Sequence, residues 1–278
     1  MNVEIVANGI DHPEGVAWDP VRRRLVCGTE GGQVLAFDPL TWERRVVADT
    51  GGFVLGIALD ARGVIYVCDM ARKAVLACDP DDGTVTLVST GAPDHPILVP
   101  NFPAFHPDGI LYVSDSGSSW DAGDGLLFGI RADNTTFVAS EAPSAFPNGL
   151  AVDESGRFLY VVETADPGVC RLPIKDDGTL GPPEDVVRMP GTAPDGLAFA
   201  ADGSLIISCY RPDRVYRLSE DGLSVLADDP QGRFLAAPTN VCYFGPQLER
   251  LAVANIGAWF ISEVLDVPPG LEVHRPAR

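Results

Sequence analysis

Glu14, Asn101, Asn148 and Asp195 each stand second in a short phrase that recurs along the 278-residue chain. The phrases are PEGVAWDPVRRRLVCG from Pro13, PNFPAFHPDGILYVSD from Pro100, PNGLAVDESGRFLYVVE from Pro147 and PDGLAFAADGSLIISC from Pro194. All four side chains offer oxygen, two of them as carboxylates. Oxygen-only donors suit a hard divalent cation, and the charges of Glu14 and Asp195 would balance it. Ca2+ is therefore the expected ion, and Zn2+, Mn2+ and Mg2+ are compatible with the same donors, although no Cys or His joins them to favour zinc. Asn and Asp also precede strands for a local reason, because their side chains bond nearby backbone. The recurrence of the four at one position of a repeat argues for a shared site instead.

Two further copies, VLGIALDARGVIYVCD from Val54 and PTNVCYFGPQLERLAVAN from Pro238, carry Leu55 and Thr239 at that position. Six copies thus recur at intervals of 41 to 47 residues, the length of a propeller blade. Each contains two alternating apolar runs joined by a Gly- or Pro-containing turn, the signature of a hairpin. Further runs usually follow, such as GQVLAFDP and ERRVVAD, and no helical periodicity is present. The expected fold is all-β: a six-bladed β-propeller of four antiparallel strands per blade, forming one domain over 1–278. Packed radially, such sheets bury nearly all of both faces. The alternating segment VEIVANGI, residues 3 to 10, is expected to complete the last blade.

Strands that run up and down in turn place the loop entering the first strand and the loop joining the second to the third at one end. The six repeat positions would then ring the mouth of the central channel, walled by residues 29–31, 70–73, 116–125, 164–168, 210–213 and 256–259. In the longest of these loops, SGSSWDAGDG, Trp120 could cover an apolar ligand and Asp121 or Asp124 could meet a hydroxyl; the alternative is a solvated Gly-rich loop. Tyr210, with Arg72, Arg211 and Trp259, occupies corresponding places in other blades. His12, two residues before Glu14, either reaches substrate or bonds local backbone. Asp115 and Glu163 end second strands and would support the ring from behind. These loops read as polar and Gly-rich, without the apolar rim of a protein-binding propeller.

With 39 acidic and 20 basic residues the formal charge is −19, which repels a nucleic-acid backbone. No run approaches the roughly 18 apolar residues of a membrane span, and residues 1–10 lack a basic, apolar leader. A cytoplasmic protein, monomeric or weakly homodimeric, with no membrane or nucleic-acid partner is expected. Six cysteines sit in apolar runs without zinc-site spacing and read as small buried hydrophobes rather than a disulfide framework. No G-x-S-x-G elbow is present, so a serine hydrolase is not expected.

The first-blade PEG with Trp18, PNGLAVD around Asn148, PDGLAF around Asp195, and the closing PTNVCYFG and LAVANIGAW together resemble the senescence marker protein, gluconolactonase and luciferin-regenerating enzyme family over essentially the whole chain. The resemblance implies a metal-dependent hydrolase, most often a lactonase, acting on a small-molecule lactone or ester. It implies a divalent metal held by Glu14, Asn148 and Asp195, with Asn101 close to both metal and substrate. On that footing Asp195 is the expected proton acceptor for the attacking water, and Glu14 the second choice. One stretch departs from the pattern: Leu98, Val99, Pro100, Asn101, Phe102 and Pro103 stand where gluconolactonase-like members usually have Asp after the Asn and often a basic residue before it. Phe102 would favour apolar contact with substrate, or else turn into the blade as core. The expected substrate is thus a sugar-type or small apolar lactone. An organophosphate hydrolase of the same fold and a non-catalytic, metal-stabilised binding propeller are the alternatives.

Overall fold

Every copy of the phrase folds as a hairpin whose first strand runs along the channel, as the computed structural model shows for residues 2–278. The six first strands are Val16–Asp19, Val54–Leu59, Pro100–Phe105, Pro147–Val152, Ala193–Phe199 and Pro238–Phe244, and each lies against its neighbours around the axis. Blades one to five each add three consecutive antiparallel strands. In the sixth, Arg250–Asn255 and Phe260–Val264 are followed on the outer edge by Val3–Asn8, which pairs antiparallel with Phe260–Val264. The N-terminal segment thus closes the ring as its alternation predicts. No helix is long and apolar enough to cross a membrane among the described residues.

The core is divided into six hydrophobic clusters, one at each interblade interface. Ile57 and Val67 of blade two meet Val26 and Ala17 of blade one, and Trp18 and Phe37 of blade one meet Phe244 of blade six. Because both faces of each inner strand are covered, those strands read as continuous apolar runs, whereas outer strands such as Arg44–Asp49 leave most of their residues exposed. Five cysteines are buried and Cys242 is half-buried, all unpaired.

Two departures from regularity matter for the site. In blades two to six a β-bulge opens the first strand: between Pro147 and Leu150, for example, Asn148 and Gly149 oppose a single partner residue. A bulge turns the local side chains and adds twist. At the opposite end of the channel the last ten residues run across all six blades. Ala201 N–H donates to Pro269 O, Gly270 N–H to Leu248 O and Ala61 N–H to Pro276 O. His274 Nε2 donates to Asp153 O, Arg275 to Trp18 O and Arg278 to Ile130 O.

Candidate metal centre and active-site mouth

The expected ring forms. Glu14, Asn101, Asn148 and Asp195 are all less than 7% exposed, each at or just before the start of a first strand, and in blades one, four and five the backbone there is clamped from the preceding blade. Ser116 Oγ donates to Pro147 O at 2.9 Å, Thr164 Oγ1 to Pro194 O at 2.8 Å and Thr239 Oγ1 to Glu14 O at 2.9 Å. These hydroxyls also set the amides. Since Ser116 gives its proton to Pro147, it can only accept from Asn101, whose Nδ2 lies 3.0 Å away. Thr164 likewise accepts from Asn148 Nδ2 at 3.2 Å. Both amide nitrogens are thereby engaged, and Asn101 Oδ1 and Asn148 Oδ1 are buried without a partner.

Asp195 Oδ1 and Asn240 Oδ1 are in the same condition. Four buried acceptors at one level with no donor would cost the fold on the order of 1–3 kcal/mol each if nothing met them. Burial pushes the Glu14 carboxyl up to about 7 against the pull of its Asn240 hydrogen bond. Asp195 rises well above the usual carboxylate range through burial first and the Glu14 charge second, offset in part by Asn148. No basic side chain contributes to either. Oxygen acceptors that all lack donors, around two carboxylates that lack a counter-charge, are the chemistry a hard divalent cation satisfies.

Asn240 was not among the expected donors. In blade six the repeat position is Thr239, but its hydroxyl serves the backbone of Glu14, and the next residue reaches the ring: Asn240 Nδ2 donates to Glu14 Oε2 at 2.9 Å. The bulge between Pro238 and Val241 permits two successive side chains to turn inward. The corresponding positions in blades one, two, four and five are Gly15, Gly56, Gly149 and Gly196. There a Cβ would come within 2.2 Å of Leu55 O at Gly15 and within 2.6 Å of Asp195 O at Gly149. Only Phe102 and Asn240 bring side chains to that level.

Phe102 takes the core alternative. It is 9% exposed, packs with Tyr112, Leu127 and Leu150, and lines the channel beyond the ring, so it is not a residue of the open mouth. The bulge that aims Asn101 at the axis carries Phe102 past it. His12 does not bond local backbone: Nδ1 lies 2.6 Å from Glu30 Oε2 and 3.0 Å from Asp11 Oδ1, and the ring meets Trp259 edge-on at 5.1 Å. Its partners are two carboxylates and an indole rather than backbone. Trp120 is 45% exposed and its ring lies 4.9 Å from that of Phe146. Its loop is fastened, because Asp124 accepts from Ser118 N at 2.9 Å and Ser118 Oγ at 2.6 Å. Asp121 is exposed at the loop tip. Tyr210 is half-buried beneath the Arg211 guanidinium at 5.3 Å, and Arg72 holds Thr50 O at 2.9 Å.

The residues ending second strands support the ring through the loops that lead into it. Asp115 accepts from Leu98 N at 2.6 Å and Val99 N at 2.9 Å, just before Asn101. Glu163 accepts from Ala145 N at 3.4 Å. Asp69 and Asn255 repeat the device in blades two and six, taking Phe53 N and Ala236 N. With Trp120, Trp259 and Phe234 exposed, the mouth end is more aromatic than its loop sequences suggest.

Residues 12–257 match the SMP-30/Gluconolactonase/LRE-like region. Among solved structures, a gluconolactonase from Xanthomonas campestris superposes with a TM-score of 0.81 at 20% identity, covering 94% of this chain and 89% of that one. A calcium-binding protein, regucalcin, from Agrobacterium tumefaciens superposes with a TM-score of 0.80 at 18% identity, covering 99% and 98%. At such identities these likenesses concern the fold. The strictosidine synthase-like 3 protein of Arabidopsis thaliana is 23% identical over 241 residues, 73% of this chain, and the chain spans 60% of that protein's length. The match over residues 12–257, with six four-stranded blades closed by Val3–Asn8, establishes that the chain belongs to the SMP-30/gluconolactonase/LRE-like family.

Proposed function

We propose that the protein is a metal-dependent hydrolase that opens a lactone at the mouth of its channel, with calcium as the resident cation. The observation that carries this reading is the set of partnerless, buried oxygens of Asn101, Asn148, Asp195 and Asn240 beside the Glu14 carboxylate. Glu14, Asn148 and Asp195 would hold the ion, with Asn101 completing the set. When bound, the ion supplies Lewis-acid polarisation of an ester carbonyl and a counter-charge for the oxyanion. The chain's own contribution is position and proton transfer. Ser116 and Thr164 fix the two amides before substrate arrives, so no reorganisation is needed in the transition state. Asp195 Oδ1 would join the ion, and the other oxygen of that carboxylate would accept the proton of the attacking water.

Names among the relatives support the chemistry: a gluconolactonase and a calcium-binding protein share the fold, while strictosidine synthase-like proteins share part of the sequence. Two buried carboxylates without a basic partner favour a metal-dependent reaction over a metal-free condensation. The test is acid release from a lactone panel before chelation, after it and on calcium readdition, with calcium titration calorimetry in parallel. Activity lost and restored with the ion supports the hydrolase. Calcium binding without turnover of any lactone would leave a metal-stabilised binding propeller.

A further inference from the structure

We infer that the mouth selects a lactone carrying an alkyl or aryl substituent over a polyhydroxylated sugar lactone, with Trp120 and Phe146 gripping that substituent; this rests on the lactonase reading above. The ring itself is one-sided. Blades one, three, four, five and six direct oxygen to it, whereas blade two presents Leu55. Leu55 belongs to the hydrophobic cluster between blades two and three, and half-buried Phe53, Met70 and Val99 extend that cluster to the mouth end. The apolar sector therefore begins at the ring and continues outward over blade two.

The loop entering blade three offers a sugar no donor. Asp115 takes both Leu98 N–H and Val99 N–H, so the loop before Asn101 offers substrate its aliphatic side chains and no free amide. Beyond it, the loop held by Asp124 and Ser118 sets Trp120 against Phe146 of the next blade's loop, rings 4.9 Å apart at 38°, with the indole 45% exposed. A lactone whose carbonyl meets the oxygen ring has an apolar wall over blades two to four for its substituent. Sugar hydroxyls placed there would lose their water without gaining partners. Asp11, His12 and Glu30 stand over blade one and pair with one another; Arg72 is taken by Thr50 O and Asp124 by Ser118, while Asp121 and Arg211 stay exposed on the loops of blades three and five.

The test uses the calcium-loaded protein. The kcat/KM of δ-lactones bearing hydrogen, propyl and pentyl substituents is compared with that of glucono-δ-lactone, in the wild type and in Trp120→Ala. Each added methylene is expected to raise kcat/KM about threefold, the sugar lactone is expected to fall below all but the shortest, and Trp120→Ala is expected to raise the KM of the pentyl lactone about tenfold and flatten the series. Binding of the corresponding pentyl δ-lactam and of gluconolactam, followed by tryptophan fluorescence, separates the two readings. Preference for gluconolactone, or a flat series in the wild type, overturns the substituent pocket and leaves the lactonase standing. If no lactone turns over but the pentyl lactam quenches fluorescence in wild type and not in Trp120→Ala, the pocket stands and the hydrolase falls. Binding of neither lactam, with no turnover, overturns both.

Discussion

At the mouth the channel wall presents Glu14, Asn101, Asn148, Asp195 and Asn240; further along the same strands it becomes Ile57, Leu59, Phe102, Phe105, Leu150 and Phe199, around a cavity of about 120 Å3. The mouth end leaves polar atoms without partners, and the far end leaves apolar space that the C-terminal segment 271–275 covers. In blades two to six the change coincides with the bulge: Asn101, Asn148, Asp195 and Asn240 lie within it and carry oxygen to the axis, and the strand beyond it is apolar. Stability and chemistry are thus separated along the length of each inner strand, one strand end being under-satisfied so that a ligand can complete it.

The sharpest way to break this division is Asp195→Asn. The backbone clamp through Thr164 remains, so the fold is expected to hold while kcat drops about a thousandfold; circular dichroism with lactone kinetics checks both, and unchanged turnover would remove Asp195 from proton transfer. Next is the pH dependence of the metal-free protein. Because the Glu14 carboxyl is pushed up to about 7 from its ordinary 4.5, and Asp195 shifts in the same direction, the folded state keeps protons that the unfolded chain has released. The stabilisation is full below about pH 4.5 and is lost as pH rises through 7, by about 3 kcal/mol for Glu14. Denaturant melts of chelated protein between pH 5 and 8 are expected to show this fall, and saturating calcium is expected to abolish it.

At the opposite end, deleting residues 265–278 uncovers the apolar cavity. We expect a loss of about 2–3 kcal/mol in stability with calcium affinity changed less than threefold; a large loss of affinity would show that the two ends are coupled. The smallest effect belongs to Asn240→Ser. Losing the 2.9 Å bond that orients Glu14 is expected to weaken calcium binding about tenfold, measured by calorimetry, with the melting temperature little changed.

Much of this was legible beforehand, because blade period, strand alternation and the four oxygen-bearing residues all follow from local patterns within one repeat. Val3–Asn8 was legible for the same reason: its alternation had to be satisfied somewhere, and the last blade lacked a strand. Asn240 was hidden because strand alternation assigns inward faces strictly by twos, and only the bulge lets Thr239 and Asn240 share the inner side. Phe102 was ambiguous on the same account. The pairing of His12 with Glu30 joins loops of neighbouring strands through side chains, which no periodicity reports. Nor does LEVHRPAR carry a pattern announcing that it spans the far end.

That last segment alters how the molecule should come apart. A ring of blades, each touching only its neighbours, resembles a linear array in which one unit can loosen while the rest persist. Here a single stretch of chain is fastened in turn to blades five, six, four, one, two and three. No blade can swing out without first shedding it. Local opening is thereby tied to global opening, and the array is expected to melt as one cooperative unit, with amide exchange in all six inner hairpins governed by the same event.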